Sequence, residues 1–206
     1  MIEKLPFILK LGDSETAILE AKKPWTGNQW KDKDFKDIVK PKILVQLKSN
    51  QECCAYCGLR FKGERDMQIE HIAPKAFNRR PQFTFTLKNL VLSCVYCNGL
   101  SVKGTTDTIR DPVQERYEDC DFLLVHPYFD DPDDHFDWTD EDDKIIIQVK
   151  NDSLKAQFSI SMFDLTSSGM TEQRAGESFR RRRHISMPNT FEDEIIIQSI
   201  MNYKEQ

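Results

Sequence analysis

The chain has 206 residues, of which 39% are hydrophobic and 31% are charged. Its longest apolar runs are far shorter than the roughly 20 residues of a membrane-spanning helix, which excludes a protein built on such helices. The 13 Phe, 5 Tyr and 3 Trp residues can build a core, so the composition also argues against a disordered chain. The first residues lack the apolar stretch of a signal peptide, and we therefore expect a cytoplasmic protein.

The net charge of −5 hides an uneven distribution of charge along the chain. Residues 1–110 carry 19 basic and 12 acidic side chains, whereas residues 111–206 carry 10 basic and 22 acidic ones. A basic front half suits a polyanion such as nucleic acid, and an acidic remainder indicates a separate role.

The front of the chain predicts an arm followed by a helix. Residues 1–33 mix polar and apolar residues and predict a loop-rich arm. Residues 34–50 predict one helix, or two helical pieces split at Pro41, because Ile43 and Leu47 recur at helical spacing. We expect this N-terminal part to end near residue 50.

The cysteines form two pairs of the type C-x-x-C. The six cysteines of the chain are Cys53, Cys54, Cys57, Cys94, Cys97 and Cys120. Two C-x-x-C pairs complete the tetrahedral four-sulfur site that zinc prefers, and such a closed site is structural rather than catalytic. Cys53 is a rival first ligand, but the symmetric spacing favours Cys54. Two redox-active dithiols are the alternative interpretation, and Cys120 is expected to be a buried apolar filler.

The 36 residues between the two pairs predict two strands and a second metal site. Strands are predicted at residues 67–71 and 90–93, with a proline-marked loop between them. Glu70 and His71 end the first strand, and Asn98 directly follows the last cysteine of the second pair. Carboxylate and amide oxygens suit Mg²⁺, and a histidine beside that ion can deprotonate water at neutral pH.

The acidic segment is unusual because it also contains many aromatic residues. Residues 111–143 carry 14 acidic residues and a single basic one, yet they include the run HPYFDDPDDHFDW. Such aromatic side chains are expected to anchor the loop to a core. We expect His126 and His135, within this run, to be packed or surface residues rather than metal ligands.

The remaining residues predict a strand pair and two helices. Residues 144–150 predict a strand, which is followed by a turn at residues 151–153. A second apolar segment spans residues 158–165. Residues 171–184 predict a helix capped by Thr171. It ends in four consecutive arginines, which suit nucleic acid or an acidic partner, or form a solvated basic helix end. A last amphipathic helix is predicted at 191–203.

The order C-x-x-C, Glu-His-Ile, Asn-Leu-Val-Leu-Ser and C-x-x-C-Asn resembles the HNH nuclease family with its ββα-metal core. The resemblance covers residues 54–103, about a quarter of the chain. It implies an α+β fold in which a four-cysteine zinc site holds the core together. The chain then divides into an N-terminal arm and helix (1–50), an HNH core (51–110) and an acidic loop, strand pair and C-terminal helices (111–206).

The resemblance also implies a role for individual residues. His71 matches the general base, Glu70 and Asn98 match the ligands of a catalytic Mg²⁺ or Mn²⁺, and Asn89 matches the residue that pins the hairpin loop and orients the histidine. Products would carry 5′-phosphate and 3′-hydroxyl ends. Many members have a basic residue four positions after the last cysteine, whereas this chain has Ser101 there.

Four basic residues are predicted to contact nucleic acid, with a solvated basic loop as the alternative for those that follow His71. They are Lys75, Arg79, Arg80 and Lys103.

The wider layout resembles the HNH subunits of Septu-type anti-phage systems and related retron-linked effectors, which pair with an ATPase subunit. It implies a nuclease effector that is gated by an ATPase partner, which the acidic half would face. DNA is the favoured substrate and RNA stays open. The alternatives are a zinc-knuckle module that binds nucleic acid without cleaving it, and a cysteine redox enzyme.

Overall fold

The computed structural model describes residues 2–63, 66–139 and 143–186. In these ranges the α-helices are α1 (Asp13–Glu20), α2 (Lys40–Lys48), α3 (Pro132–His135), α4 (Leu154–Phe163) and α5 (Ser168–Ser186), and the strands are β1 (Met67–His71), β2 (Leu90–Cys94), β3 (Phe136–Trp138) and β4 (Ile147–Val149). This mixture confirms the α+β class. Within the same ranges, no helix combines the length and the apolar character needed to cross a bilayer.

The N-terminal arm contains a helix that the sequence analysis did not predict. Helix α1 begins after Gly12, whose backbone N–H donates to Glu15 Oε2 at 2.9 Å. Glu15 also binds Lys42 of α2, so the cap connects the two helices. The expectation of a loop-rich arm is therefore wrong over residues 13–20, where a glutamate three residues after the cap was the available signal.

Of the two alternatives predicted for residues 34–50, the structure has one continuous helical segment rather than two pieces split at Pro41. A π-helical turn, Phe35–Val39, leads directly into α2. Pro41 lies in the first turn of α2, and the helical segment continues through it directly from the π-helical turn. Ile43 and Leu47 are buried, as their spacing predicted.

The central element is the antiparallel hairpin of β1 and β2, in which Met67 pairs with Cys94 and His71 pairs with Leu90. The bounds of β1 are as predicted, and β2 extends one residue further, to Cys94. Alternate residues of β2 face two different cores. Leu90 and Leu92 pack with the N-terminal helices, whereas Val91 packs with the cysteines and the C-terminal part.

The acidic segment is anchored to the second core by its aromatic side chains, as expected. Tyr128 and Phe136 are buried there, with Phe129 and Trp138 packed against them. His126 is fully buried, and its ring stacks on Phe129 at a centroid distance of 4.0 Å. Cys120 is buried as well, which confirms its expected role as a filler.

The strand pair lies elsewhere than the sequence suggested. Within residues 144–150 only Ile147–Val149 is a strand, and its partner is β3, inside the acidic segment. The second apolar segment is instead helical, because residues 158–163 belong to α4. Ser153 caps α4 by accepting a hydrogen bond from the Ala156 N–H at 3.2 Å.

Helix α5 starts three residues before the predicted cap, so Thr171 lies inside it. Ser167 Oγ accepts from the Met170 N–H at 3.4 Å instead. Of the consecutive arginines, Arg182 binds Asp143 and Arg181 donates to the Asp143 carbonyl at 3.4 Å. Two of these arginines thus contact an acidic residue of the same chain. The helix predicted at 191–203 lies outside the described residues.

The burial of His126 makes a prediction about pH. Burial lowers the pKa of His126 from 6.5 to about 3. Between pH 6.5 and 3, the imidazole is therefore protonated in the unfolded chain but stays neutral in the folded one. The free energy of unfolding decreases as the pH falls through this interval. At pH 5 this group should cost about 2 kcal/mol of unfolding free energy. Chemical denaturation at neutral pH and at pH 5 measures this loss.

His126→Gln is expected to show a smaller loss than the wild type over this interval. His135→Gln, in the same segment but only half-buried, is the matched control and should keep the loss of the wild type. Identical pH dependence in the wild type and His126→Gln would contradict the prediction.

Candidate active site and metal centre

The two C-x-x-C pairs meet at one point. The Sγ atoms of Cys54, Cys57, Cys94 and Cys97 all lie within 4.8 Å of one another. The first pair lies in a tight turn that Gly58 closes with a φ of +70°, a value that favours glycine. The second pair begins at the end of β2. Cys53 stays outside the group, as the symmetric spacing predicted.

The four thiols have the chemistry of a metal site. Hydrogen bonds from the thiols of Cys54, Cys57 and Cys97 lower the pKa of Cys94. If more than one of the four thiols is ionised, the thiolates repel one another at this spacing unless a cation neutralises them. The donor set and its closeness therefore fit a single tetrahedral ion such as Zn²⁺.

His71 faces the N-terminal core at the end of β1. Its ring packs edge-on against Trp30 at a centroid distance of 4.3 Å. Nε2 lies 3.0 Å from the Thr84 carbonyl, and because a carbonyl only accepts, Nε2 is the protonated nitrogen and Nδ1 carries the lone pair. Burial holds the pKa of His71 well below its ordinary value, so the imidazole is neutral.

Glu70 faces the other side of the hairpin, because successive residues of a strand alternate. Its Oε1 accepts a hydrogen bond from Lys103 Nζ at 2.6 Å, and the same ammonium donates to the His71 carbonyl at 2.8 Å. Lys103 had been predicted to contact nucleic acid. The structure places its side chain in the interior, fully buried against the candidate metal ligand, and not at the surface.

Asn98 lies over the face of β1 that carries Glu70. Its Nδ2 donates to Gln68 Oε1 at 2.5 Å, and Gln68 and Glu70 share one face of the strand. A carboxylate and an amide oxygen on this side are the ligand types that Mg²⁺ and Mn²⁺ accept. The residues present therefore fit a divalent cation in chemical type. In this structure the Lys103 ammonium is bound to the Glu70 carboxylate.

Asn89 is buried and holds the loop between the strands. Its Oδ1 accepts from the Ala73 N–H at 2.6 Å, and its Nδ2 donates to the carbonyls of Ala73 and Phe83 at 3.0 and 2.9 Å. Thr84, whose carbonyl binds His71, directly follows Phe83 in the chain. Asn89 thus joins both ends of the loop through its hydrogen bonds, and its role in orienting His71 stays a prediction.

The three basic residues that follow His71 differ in their surroundings. Arg80 is buried, and its guanidinium binds the carboxylates of Asp107 and Asp111 at 2.8 and 2.9 Å. Arg79 is exposed, with Nε donating to the Thr105 carbonyl at 2.9 Å. Lys75 is half-buried. Arg80 therefore joins the loop to the start of the acidic segment, while Arg79 and Lys75 remain open to a ligand.

The sequence analysis missed two residues that support the site, Trp30 and Tyr117. The Tyr117 hydroxyl donates to Asn89 Oδ1 at 3.0 Å and lies 3.0 Å from His126 Nε2. Because the Tyr128 N–H donates to His126 Nδ1, Nε2 carries the proton and donates to Tyr117. A buried chain of hydrogen bonds thus runs from the acidic half to Asn89. No spacing motif signalled these contacts, which depend on tertiary structure.

Replacing one clustered cysteine should remove the metal. Cys57→Ser is expected to abolish binding of one zinc per chain and to unfold the protein, because structural zinc supplies about 10 kcal/mol or more to small domains. Elemental analysis and denaturation measure both effects. Cys53→Ser, four residues away and outside the cluster, should keep its zinc. Zinc retained in Cys57→Ser would refute the assignment.

Asn89→Ala should leave three buried backbone groups without their partner. At about 1 kcal/mol or more for each, we expect a loss of about 3 kcal/mol in unfolding free energy. Asn78→Ala, at an exposed position of the same loop, should change stability by less than about 0.5 kcal/mol. Denaturant unfolding compares the two variants, and equal stabilities would contradict the pinning role.

Comparison with known proteins agrees with this geometry. The family model of the HNH endonuclease matches residues 54–101. The chain is also 28% identical over 196 residues to the Septu protein PtuB of Bacillus mycoides (strain KBAB4). That match covers 84% of this chain, and the chain spans 64% of the length of the curated relative. Residues 54–101 therefore match an HNH endonuclease domain, set within a chain that is similar to a Septu protein over most of its length.

Proposed function

We propose that the protein is an HNH endonuclease that hydrolyses phosphodiester bonds of nucleic acid, with DNA as the favoured substrate. The observation that carries this proposal is His71, a buried neutral imidazole whose tautomer is fixed by the Thr84 carbonyl at 3.0 Å. Within a match to the HNH endonuclease domain, an unprotonated histidine held in this way is suited to act as a general base.

In this mechanism His71 accepts the proton of the attacking water at Nδ1, the nitrogen with the lone pair. The Thr84 carbonyl then stabilises the resulting imidazolium through Nε2. Asn89 is a positioning residue, because it fixes Phe83 and with it the chain that leads to Thr84. Lys75, four residues after His71 and close enough for its charge to act on the imidazole, adds positive charge for the phosphate.

We assign a divalent cation, Mg²⁺ or Mn²⁺, to Glu70 and Asn98. A cation held there would supply Lewis-acid stabilisation to the charge on the phosphate and on the leaving 3′ oxygen. The Lys103 ammonium lies 2.6 Å from Oε1, so the carboxylate would share its negative charge between Lys103 and a bound metal. We assign Zn²⁺ with a structural role to the four clustered cysteines.

We further propose that the nuclease acts in anti-phage defence and that an ATPase partner gates it. The similarity to a Septu protein supports this role, as does the excess of acidic side chains after residue 110. Six free cysteines suit a reducing compartment, which supports action in the cytoplasm. The acidic half is the part that we expect the partner to contact.

The second candidate function is a zinc-knuckle module that binds nucleic acid without cleaving it. The basic front half favours it, because a net positive surface is sufficient for binding. A binding module, however, requires neither a neutral buried histidine nor a carboxylate next to it in the sequence.

Cleavage of plasmid DNA and of total RNA with added Mg²⁺ or Mn²⁺ tests the proposal. His71→Ala should cut about 10²- to 10⁴-fold more slowly than the wild type, because it lacks the general base. Its affinity for nucleic acid should equal that of the wild type. His135→Ala is the matched control and should keep the activity of the wild type. Equal cleavage by His71→Ala and the wild type would exclude His71 as the base.

A wild-type chain that is inactive alone should become active in complex with its ATPase partner. That experiment uses the co-purified complex, again with His71→Ala beside the wild type. Binding without cleavage in every condition, with or without the partner, would favour the binding module.

A further inference from the structure

A cleft of about 310 Å³ opens between the N-terminal arm and the loop that follows His71. One wall is the short 3-10 turn Gly27–Lys31, and the other is the loop around Phe77. Its lining includes Gly27, Trp30, Lys31, Lys75, Phe77 and Pro81. We call it the arm–loop cleft.

The two walls of the arm–loop cleft are in backbone contact. A Cβ atom added at Gly27 would lie only 2.1 Å from the Lys75 carbonyl oxygen, so glycine is required for this close approach. Trp30, in the same turn, contacts the His71 ring at a centroid distance of 4.3 Å. The cleft is therefore a neighbour of the candidate general base, and the arm is closely fitted against its loop.

The cleft presents an aromatic side chain to solvent. Phe77 is 95% exposed, so it contributes almost nothing to either core. Trp30 also lines the cleft, although its ring is largely occupied by Phe35, His71 and Phe85. A nearly bare phenyl ring at the mouth of a cleft offers a flat apolar surface on which a planar ligand can stack.

The charged side chains that line the cleft are both lysines, Lys31 and Lys75. Lys40 adds a third cation nearby, with Nζ 5.5 Å from the centroid of the Trp30 ring. The acidic residues that follow Lys31 in the chain, Asp32 and Asp34, are engaged elsewhere, since each binds Lys22 Nζ at 2.8 Å. The charge of the cleft therefore complements an anion such as a phosphate.

We propose that the arm–loop cleft binds an unstacked nucleotide of single-stranded nucleic acid. The base stacks on Phe77, and the adjoining phosphates lie at Lys31 and Lys75. A base inside a duplex has both faces covered by its neighbours, so only a single-stranded or locally opened strand can offer a free face to an aromatic side chain. This inference rests on the proposed nuclease function and names its substrate class.

Fluorescence anisotropy with short labelled oligonucleotides tests the proposal on the full chain, without added divalent cation so that nothing is cut. Single-stranded DNA and RNA are compared with duplexes of the same sequence. We expect Phe77→Ala to bind the single strands about 5- to 100-fold more weakly and the duplexes unchanged. Phe77→Trp should restore binding, because it restores the stacking surface.

Leu154→Ala is the matched control, since Leu154 is also a bare apolar residue, 70% exposed, but lies in α4. It should bind single strands as the wild type does. Unfolding curves of the Phe77 variants should overlay that of the wild type, because the side chain is exposed. The ratio between DNA and RNA binding then shows which of the two the cleft prefers.

Equal single-strand binding by Phe77→Ala and the wild type would overturn the proposal. So would a wild type that prefers duplexes, or one that binds no oligonucleotide. These results are separate from the cleavage test with His71→Ala, which reports on the nuclease function itself. If the protein cuts duplex DNA and Phe77→Ala has no effect on binding, the proposed nuclease function stands and the proposed role of the cleft is refuted.

Discussion

The burial of both faces of the β1–β2 hairpin is the constraint on which the rest of the structure depends. One face of β2 packs on the N-terminal helices and the other on the cysteine-containing core. A slip of one residue would exchange the side chains of the two cores, so the register is strongly fixed. The same alternation sends Glu70 and His71 to opposite sides of β1, which gives each its own surroundings although they are adjacent in sequence.

The support of the site extends well beyond the matched domain. The cysteine cluster joins the two ends of the segment that contains the hairpin. Asn89 fixes the loop inside it, and Tyr117 and His126 connect Asn89 to the acidic half. Arg80 makes a second connection, through Asp107 and Asp111. The acidic half is thus an integral support of the site, in addition to any contact that it makes with a partner.

Local signals in the sequence predicted the cysteine cluster, both strands of the hairpin and the helix that contains Pro41. These features depend on residue spacing within a few positions, which a single sequence displays. The burial of Lys103 against Glu70 and the packing of Trp30 on His71 depend on residues more than 30 positions apart. Strand β3 was not predicted for a related reason. Its three residues lie in a strongly acidic run, and they form a strand by pairing with β4.

The position of Trp30 has a practical consequence. Its indole lies between the His71 ring and the arm–loop cleft, so a molecule that enters on either side changes the polarity around one chromophore. Of the other two tryptophans, Trp25 packs on Phe85 and Trp138 lies in β3. The intrinsic emission of the protein therefore contains an optical signal for occupancy of the site that requires no attached dye.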